Sequence, residues 1–111
     1  MPPRVRALLF DIEHAALGIQ SFVAGRTLDD LKNDLMLRSA VERQFEIIGE
    51  AMTRLRAESP EMCSRISEHQ KIVGFRNVLI HGYDSINADI TWRISQEKLP
   101  ILLREVSELL K

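Results

Sequence analysis

Three side chains able to serve phosphate chemistry stand within the run Arg76-Asn77-Val78-Leu79-Ile80-His81-Gly82-Tyr83. The Arg76 guanidinium can hold a phosphate oxyanion with a planar fork of donors. The His81 imidazole can move a proton near neutral pH. The Tyr83 phenol can act as a chemical handle, or pack at a helix end with its hydroxyl bonded. No other stretch offers a comparable set. The pattern is short, however, and an arginine and a histidine on one helix are more often surface or structural residues.

The run must be positioned by a helix. At about 100° per residue, with Arg76 at zero, Asn77 falls near 100° and His81 near 140°. Arg76 and His81 therefore do not project along one line of an ideal helix; they could flank a cleft, or be reoriented if the helix frays at Gly82. Ile72, Phe75 and Leu79 form the core face of this helix. Arg76, Asn77 and His81 stand on a second face among Val73 and Ile80. A purely solvated face would not normally carry Val and Ile, so the sequence predicts that this face is covered, most simply by a second copy of the chain. A two-fold dimer would bring two Arg76–His81 sets together in a composite cleft.

The rest of the chain reads as helices. Pro2-Pro3 suit a first turn, and Val5, Leu8, Leu9, Ile12, Ala16, Ile19 and Val23 follow at helical spacing up to a stop at Gly25. Thr27 and Asp30 resemble a capping box for a short turn over Leu28–Lys32. A second long helix runs to about Ala57 on Leu37, Val41, Phe45, Ile48, Met52 and Leu55. Gly49 in its middle costs about 1 kcal/mol against Ala, which suggests close approach by another helix. Ser59-Pro60 start a short segment through Ile66. The helix carrying the Arg76 run spans about Glu68–His81, with Gly82 as its stop and Asp84-Ser85 as a polar turn. Asn87 can cap a helix through Ile90, Trp92 and Ile94, which Pro100 kinks or restarts. The expected fold is all-α, an antiparallel bundle of four or five helices in a single domain over residues 1–111.

Composition narrows the function classes. A net charge of −1 excludes a generic polycationic coat, so any RNA role must rest on a local site or on assembly. The single Cys63 excludes an internal disulfide and fits a reducing cytoplasm. No apolar run approaches the roughly 18 residues of a membrane span, and no signal peptide is evident. His14, His69 and His81 form no zinc pattern, and no carboxylate cluster has metal-like spacing, so no metal or cofactor is expected. His14 and His69 read as surface residues and Cys63 as a packing residue. Arg54, Arg56, Arg65, Lys71 and Arg76 make a mildly basic middle region, offset by Glu58, Glu61 and Glu68; it could touch RNA, but most such charge mixtures are simply solvated faces. Arg43, Glu46 and Glu50 share a face of the second long helix. The simpler reading is an ion pair within that helix; the sharper is that Glu46 or Glu50 orients Arg76 or Arg43.

Two blocks carry a resemblance. Ala40-Val41-Glu42-Arg43-Gln44-Phe45-Glu46-Ile47-Ile48-Gly49-Glu50-Ala51 resembles the second-helix block of the HEPN superfamily in its HepT-like branch. Gly74 through Tyr83 resembles that branch's signature, Arg-x4-His-x-Tyr, and the end from Trp92 through Leu110 is similar to the family's tail. The resemblance implies an all-helical, dimeric, metal-independent endoribonuclease. It implies the toxin of a type VII-like pair whose antitoxin, a minimal (MNT) nucleotidyltransferase, transfers AMP to the motif tyrosine. Carried over, Arg76 and His81 are the catalytic pair, Asn77 a polar companion and Tyr83 the acceptor. RNA would be the substrate, and the antitoxin could build a higher-order complex with the homodimer. Phe75 stands where the branch more often has Met. Two other readings remain: a non-catalytic helical partner that serves as the substrate-binding subunit of a nucleotidyltransferase, and a purely structural dimeric bundle.

Overall fold

The apolar periodicities form helices. The computed structural model describes residues 1–81 and 87–111, and of His81 only the helical backbone. Helix α1 spans Pro3–Val23 with proline in its first turn, and it buries Val5, Leu9, Ile12, Ala15, Ala16, Ile19 and Val23. Beyond it Gly25 takes φ +72°, a left-handed turn that costs glycine little. Helix α2, Leu28–Asn33, opens on the capping box. The Asp30 N–H donates to Thr27 Oγ1 at 3.1 Å, and the Thr27 N–H donates to Asp30 Oδ2 at 2.9 Å. Asp34 then caps α3, Leu35–Glu58, accepting from the Leu37 N–H at 3.1 Å.

Helix α3 is the centre of the fold and packs against α1 and α5. Two ion pairs fix its direction relative to α1. Arg4 reaches Glu58 at 3.1 Å, and Arg26 reaches Asp34 at 3.6 Å. The start of each helix thus lies beside the end of the other, which makes the pair antiparallel. Ser59 caps the short helix α4, Pro60–Ser64, by accepting from the Met62 N–H at 3.3 Å. Beyond α4, Ile66 is fully buried. Helix α5, His69–His81, carries the Arg76 run.

Asn87 caps α6, Ala88–Arg93, by accepting from the Asp89 N–H at 2.7 Å. Residues Ile94–Lys98 then form one π-type turn that leads directly into α7, Leu99–Leu110. Pro100 was expected to kink or restart this helix. Instead the backbone widens one turn ahead of it, and the Leu99 N–H donates to the Ile94 carbonyl. The wide turn makes room where the proline ring would crowd the carbonyl four residues back, and Pro100 has no N–H to place. Helix α7 returns along α1, where Ser107 Oγ donates to Glu13 Oε2 at 2.8 Å. Among the described residues there is no strand, and no helix is long and apolar enough to cross a membrane.

Candidate active site

The site is built where α5 crosses α3. Phe75 packs edge-on against Phe45, ring centroids 5.2 Å apart, and Leu79 is buried below it. These contacts turn Arg76 onto α3, where Gly49 receives its stem. A Cβ at position 49 would overlap the Arg76 Cβ and lie 2.5 Å from its Cγ. The mid-helix glycine therefore marks a close helix approach, as its cost in propensity suggested, and the approaching group is Arg76 itself.

The guanidinium is held at both ends. Arg76 Nη2 donates to Glu50 Oε2 at 2.8 Å, and Nη1 donates to Asn77 Oδ1 at 3.1 Å. Each of these nitrogens carries a second N–H. Nε is buried without a partner among the described residues. Glu50 also binds Arg54, whose Nε donates to Oε1 at 3.2 Å. One carboxylate thus grips two arginines, one on each oxygen. Arg43 makes the simpler contact, an ion pair with Glu46 of its own helix at 3.3 Å. Of the three residues singled out on α3, Glu50 reaches Arg76, whereas Arg43 and Glu46 pair with each other beside it.

These side chains surround an open cleft of about 360 Å³. Arg43, Glu46, Glu50 and Arg54 line it from α3, Arg76 and Ile80 from α5, and Leu8 and Asp11 from α1. Three arginines face three carboxylates, so the walls are close to neutral. Glu42 lies one turn from Glu46. Burial pushes its carboxyl up, against the pull of Arg38 and with a further push from Glu46. Among the described residues, no group of three or more His, Cys, Asp or Glu side chains is arranged to hold a metal ion.

The second face of α5 is covered in part from within the chain. Val73 packs against the chain's own core, and the Arg76 stem lies on Gly49 of α3. Helix α3 therefore covers part of the face that the angular reading gave to a second copy. Ile80 stays half-exposed in the cleft wall, and Val78 is exposed. His81 is the last residue of α5, five positions beyond Arg76. Tyr83, the Gly82 stop and the Asp84-Ser85 turn lie outside the described residues. His14 is exposed and stacks on Phe10. His69, expected at the surface, is half-buried with Nδ1 enclosed. Cys63 is buried, and burial pushes its thiol up against the opposing charge of Arg56.

The sequence profile of the family described as HepT-like ribonucleases matches residues 12–109. The chain belongs to the HepT-like ribonuclease family, within the HEPN superfamily. It is 34% identical over 102 residues to a candidate RNase of Methanocaldococcus jannaschii, covering 92% of this chain and 93% of that protein. It is 36% identical over 89 residues to a candidate RNase of Caldanaerobacter subterraneus, covering 80% and 79%. It is 28% identical over 103 residues to a probable ribonuclease HepT of Thermococcus cleftensis, covering 93% of each. No solved structure matches the chain. For this HepT-like chain, sequence reasoning missed Asp11, and it took Arg54 for part of a solvated surface. Arg54 had a usable signal, since it lies one turn after Glu50 on the same face. Asp11 had none, because only the packing of α1 on α3 brings it to the cleft.

Proposed function

We propose that this HepT-like protein is the ribonuclease toxin of a toxin–antitoxin pair and cuts RNA by metal-independent transesterification in the cytoplasm. The observation that carries this reading is the seating of Arg76. Gly49 receives its stem, Glu50 and Asn77 hold its guanidinium at the wall of a cleft, and His81 ends the same helix. RNA supplies its own nucleophile, so the protein has to move protons and hold charge. His81 takes the proton from the 2′-hydroxyl, whose oxygen attacks the adjacent phosphorus. Arg76 binds the non-bridging oxygens and stabilises the negative phosphorane. The P–O5′ bond breaks and the leaving oxygen takes a proton, delivered by a second His81 across a homodimer cleft. The products are a 2′,3′-cyclic phosphate and a 5′-hydroxyl.

In this reading Tyr83 is the control point. A nucleotidyltransferase antitoxin uses ATP. The phenol oxygen attacks the α-phosphorus, pyrophosphate leaves, and the phenol proton passes to solvent. The resulting AMP-tyrosine sets a phosphate near Arg76, competes for the guanidinium and obstructs the cleft. The deciding experiment incubates purified, unmodified protein with total RNA, with and without EDTA, and maps the ends. Cyclic-phosphate ends that survive EDTA and disappear in Arg76→Ala and His81→Ala are expected. Equal cutting by all three proteins, or none by the wild type, would overturn the nuclease. Tyr83→Phe should keep toxicity and lose protection by the antitoxin.

A further inference from the structure

The cleft contains more arginine than a single phosphate requires. On α3, Arg43, Glu50 and Arg54 fall within about 40° of one another at about 100° per residue. Arg43 and Arg54 are eleven positions apart, a rise of about 16 Å along one helix face. Arg76 enters between them from α5, on Glu50. Both flanking arginines are tethered loosely. The side chain of Arg43 is 68% exposed beside Glu46, and that of Arg54 is 67% exposed beside Glu50. Pairs of this kind within one helix are weak, so either guanidinium can leave its carboxylate for a phosphate oxygen and make a stronger charge-assisted bond.

We propose that Arg43 and Arg54 are substrate-binding residues that hold phosphates of single-stranded RNA on either side of the one clamped by Arg76. The proposal rests on the ribonuclease reading for Arg76 and extends it to the substrate's form. A row of cations on one helix face follows a flexible backbone. Duplex RNA is instead contacted across broad grooves. The three carboxylates Asp11, Glu46 and Glu50 keep the cleft neutral overall. The track therefore discriminates by placing phosphates at three points, and bulk attraction contributes little.

The test measures binding apart from cutting. A short 2′-O-methyl oligoribonucleotide has no 2′-hydroxyl to react, and its dissociation constant is followed against salt by fluorescence anisotropy. Each phosphate contact contributes about 0.7 to the slope of log K against log salt for a single strand. Arg43→Gln and Arg54→Gln should each lower the slope by about 0.7, and the double variant by about 1.4. Arg54→Lys, which keeps the charge, should keep the slope. Arg104→Gln, exposed on α7 and outside the cleft, should match the wild type. Matching circular dichroism spectra confirm that the variants fold.

A wild-type slope in both glutamine variants would overturn the track. So would equal competition by a 2′-O-methyl duplex. Cutting of natural RNA is scored separately. Cutting with unchanged slopes removes the track and leaves the nuclease. Lowered slopes without cutting remove the nuclease and leave Arg43 and Arg54 as phosphate contacts. Absence of RNA binding removes both.

Discussion

Gly49→Ala is a one-carbon probe of the Arg76 seat. The new Cβ would overlap the Arg76 Cβ and lie 2.5 Å from its Cγ, where carbon atoms prefer about 3.5–4.0 Å. Relief needs a shift of at least about 1 Å between α3 and α5. The groups in conflict sit next to the backbone, so rotating the far end of the arginine does not help. Alanine gains about 1 kcal/mol in a helix interior, while overpacking costs about 1–3 kcal/mol. The net is a loss of up to about 2 kcal/mol, or roughly 4–8 °C in Tm for each kcal/mol in a domain near this size. The same shift pulls Arg76 Nη2 away from Glu50 Oε2, now 2.8 Å distant. A misplacement of that size can cost about 100-fold in rate. Gly74→Ala is the internal control, because on the same helix as Arg76 its added Cβ meets nothing within 4 Å. Gly74→Ala should stabilise the protein by up to about 1 kcal/mol. Urea unfolding gives the stabilities, and cleavage of total RNA gives the rates. If Gly49→Ala is as stabilising as Gly74→Ala and cleaves within about two-fold of wild type, the close approach of α3 and α5 is refuted.

Three further outcomes are expected. Cys63 is buried with its thiol pushed up by burial. It should react with a thiol reagent at mildly alkaline pH only at the rate of unfolding; fast labelling of native protein would contradict its packing. Desolvation alone would raise the pKa of Glu68, but the Lys98 hydrogen bond and the charges of Lys71 and Lys98 outweigh it and hold the carboxyl below the usual range. Its contribution to stability is therefore present above the ordinary glutamate pKa and is lost as pH falls through the depressed folded value. NMR titration should show this, and Lys98→Gln should move the midpoint up. Thr27→Ala removes the acceptor for the Asp30 N–H and should cost about 1 kcal/mol in urea unfolding; no loss would mean that the capping box is not formed in solution.

What the sequence made legible was local. Thr27, Ser59 and Asn87 could be read as caps because a cap is satisfied within three residues of its own chain. Gly49 could be read as a contact, because a mid-helix glycine has a cost that needs a reason. The partner it meets was not legible, since nothing local distinguishes Arg76 from Val73 or Ile80 as the approaching group. The angular reading of α5 treated the helix as isolated and expected its second face to be covered, most simply by a second copy. The glycine lets α3 come close enough to seat the Arg76 stem, and Val73 packs against the chain's own core. Pro100 announced a missing N–H, but not that the preceding turn would widen to accommodate the ring. Asp11 enters the cleft only through the packing of α1 on α3, a relation with no periodic signal.

The double grip of Glu50 bears on how a chain of net charge −1 could handle a polyanion. An unpaired arginine would attract phosphate more strongly, but it would be free to swing and would lose more side-chain entropy on binding. Glu50 gives up part of that attraction and fixes the direction of the fork before substrate arrives. Its other oxygen engages Arg54, so a phosphate that displaces either arginine alters the field at the other. Glu50→Gln separates the two effects, because it can keep a hydrogen bond to one guanidinium while removing the charge. If attraction were limiting, this variant should bind RNA more tightly and cut it faster. If orientation is limiting, as the contacts of Gly49, Glu50 and Asn77 on one side chain indicate, it should bind at least as tightly and cut more slowly. Tighter binding together with faster cutting would refute the view that Arg76 works because it is held.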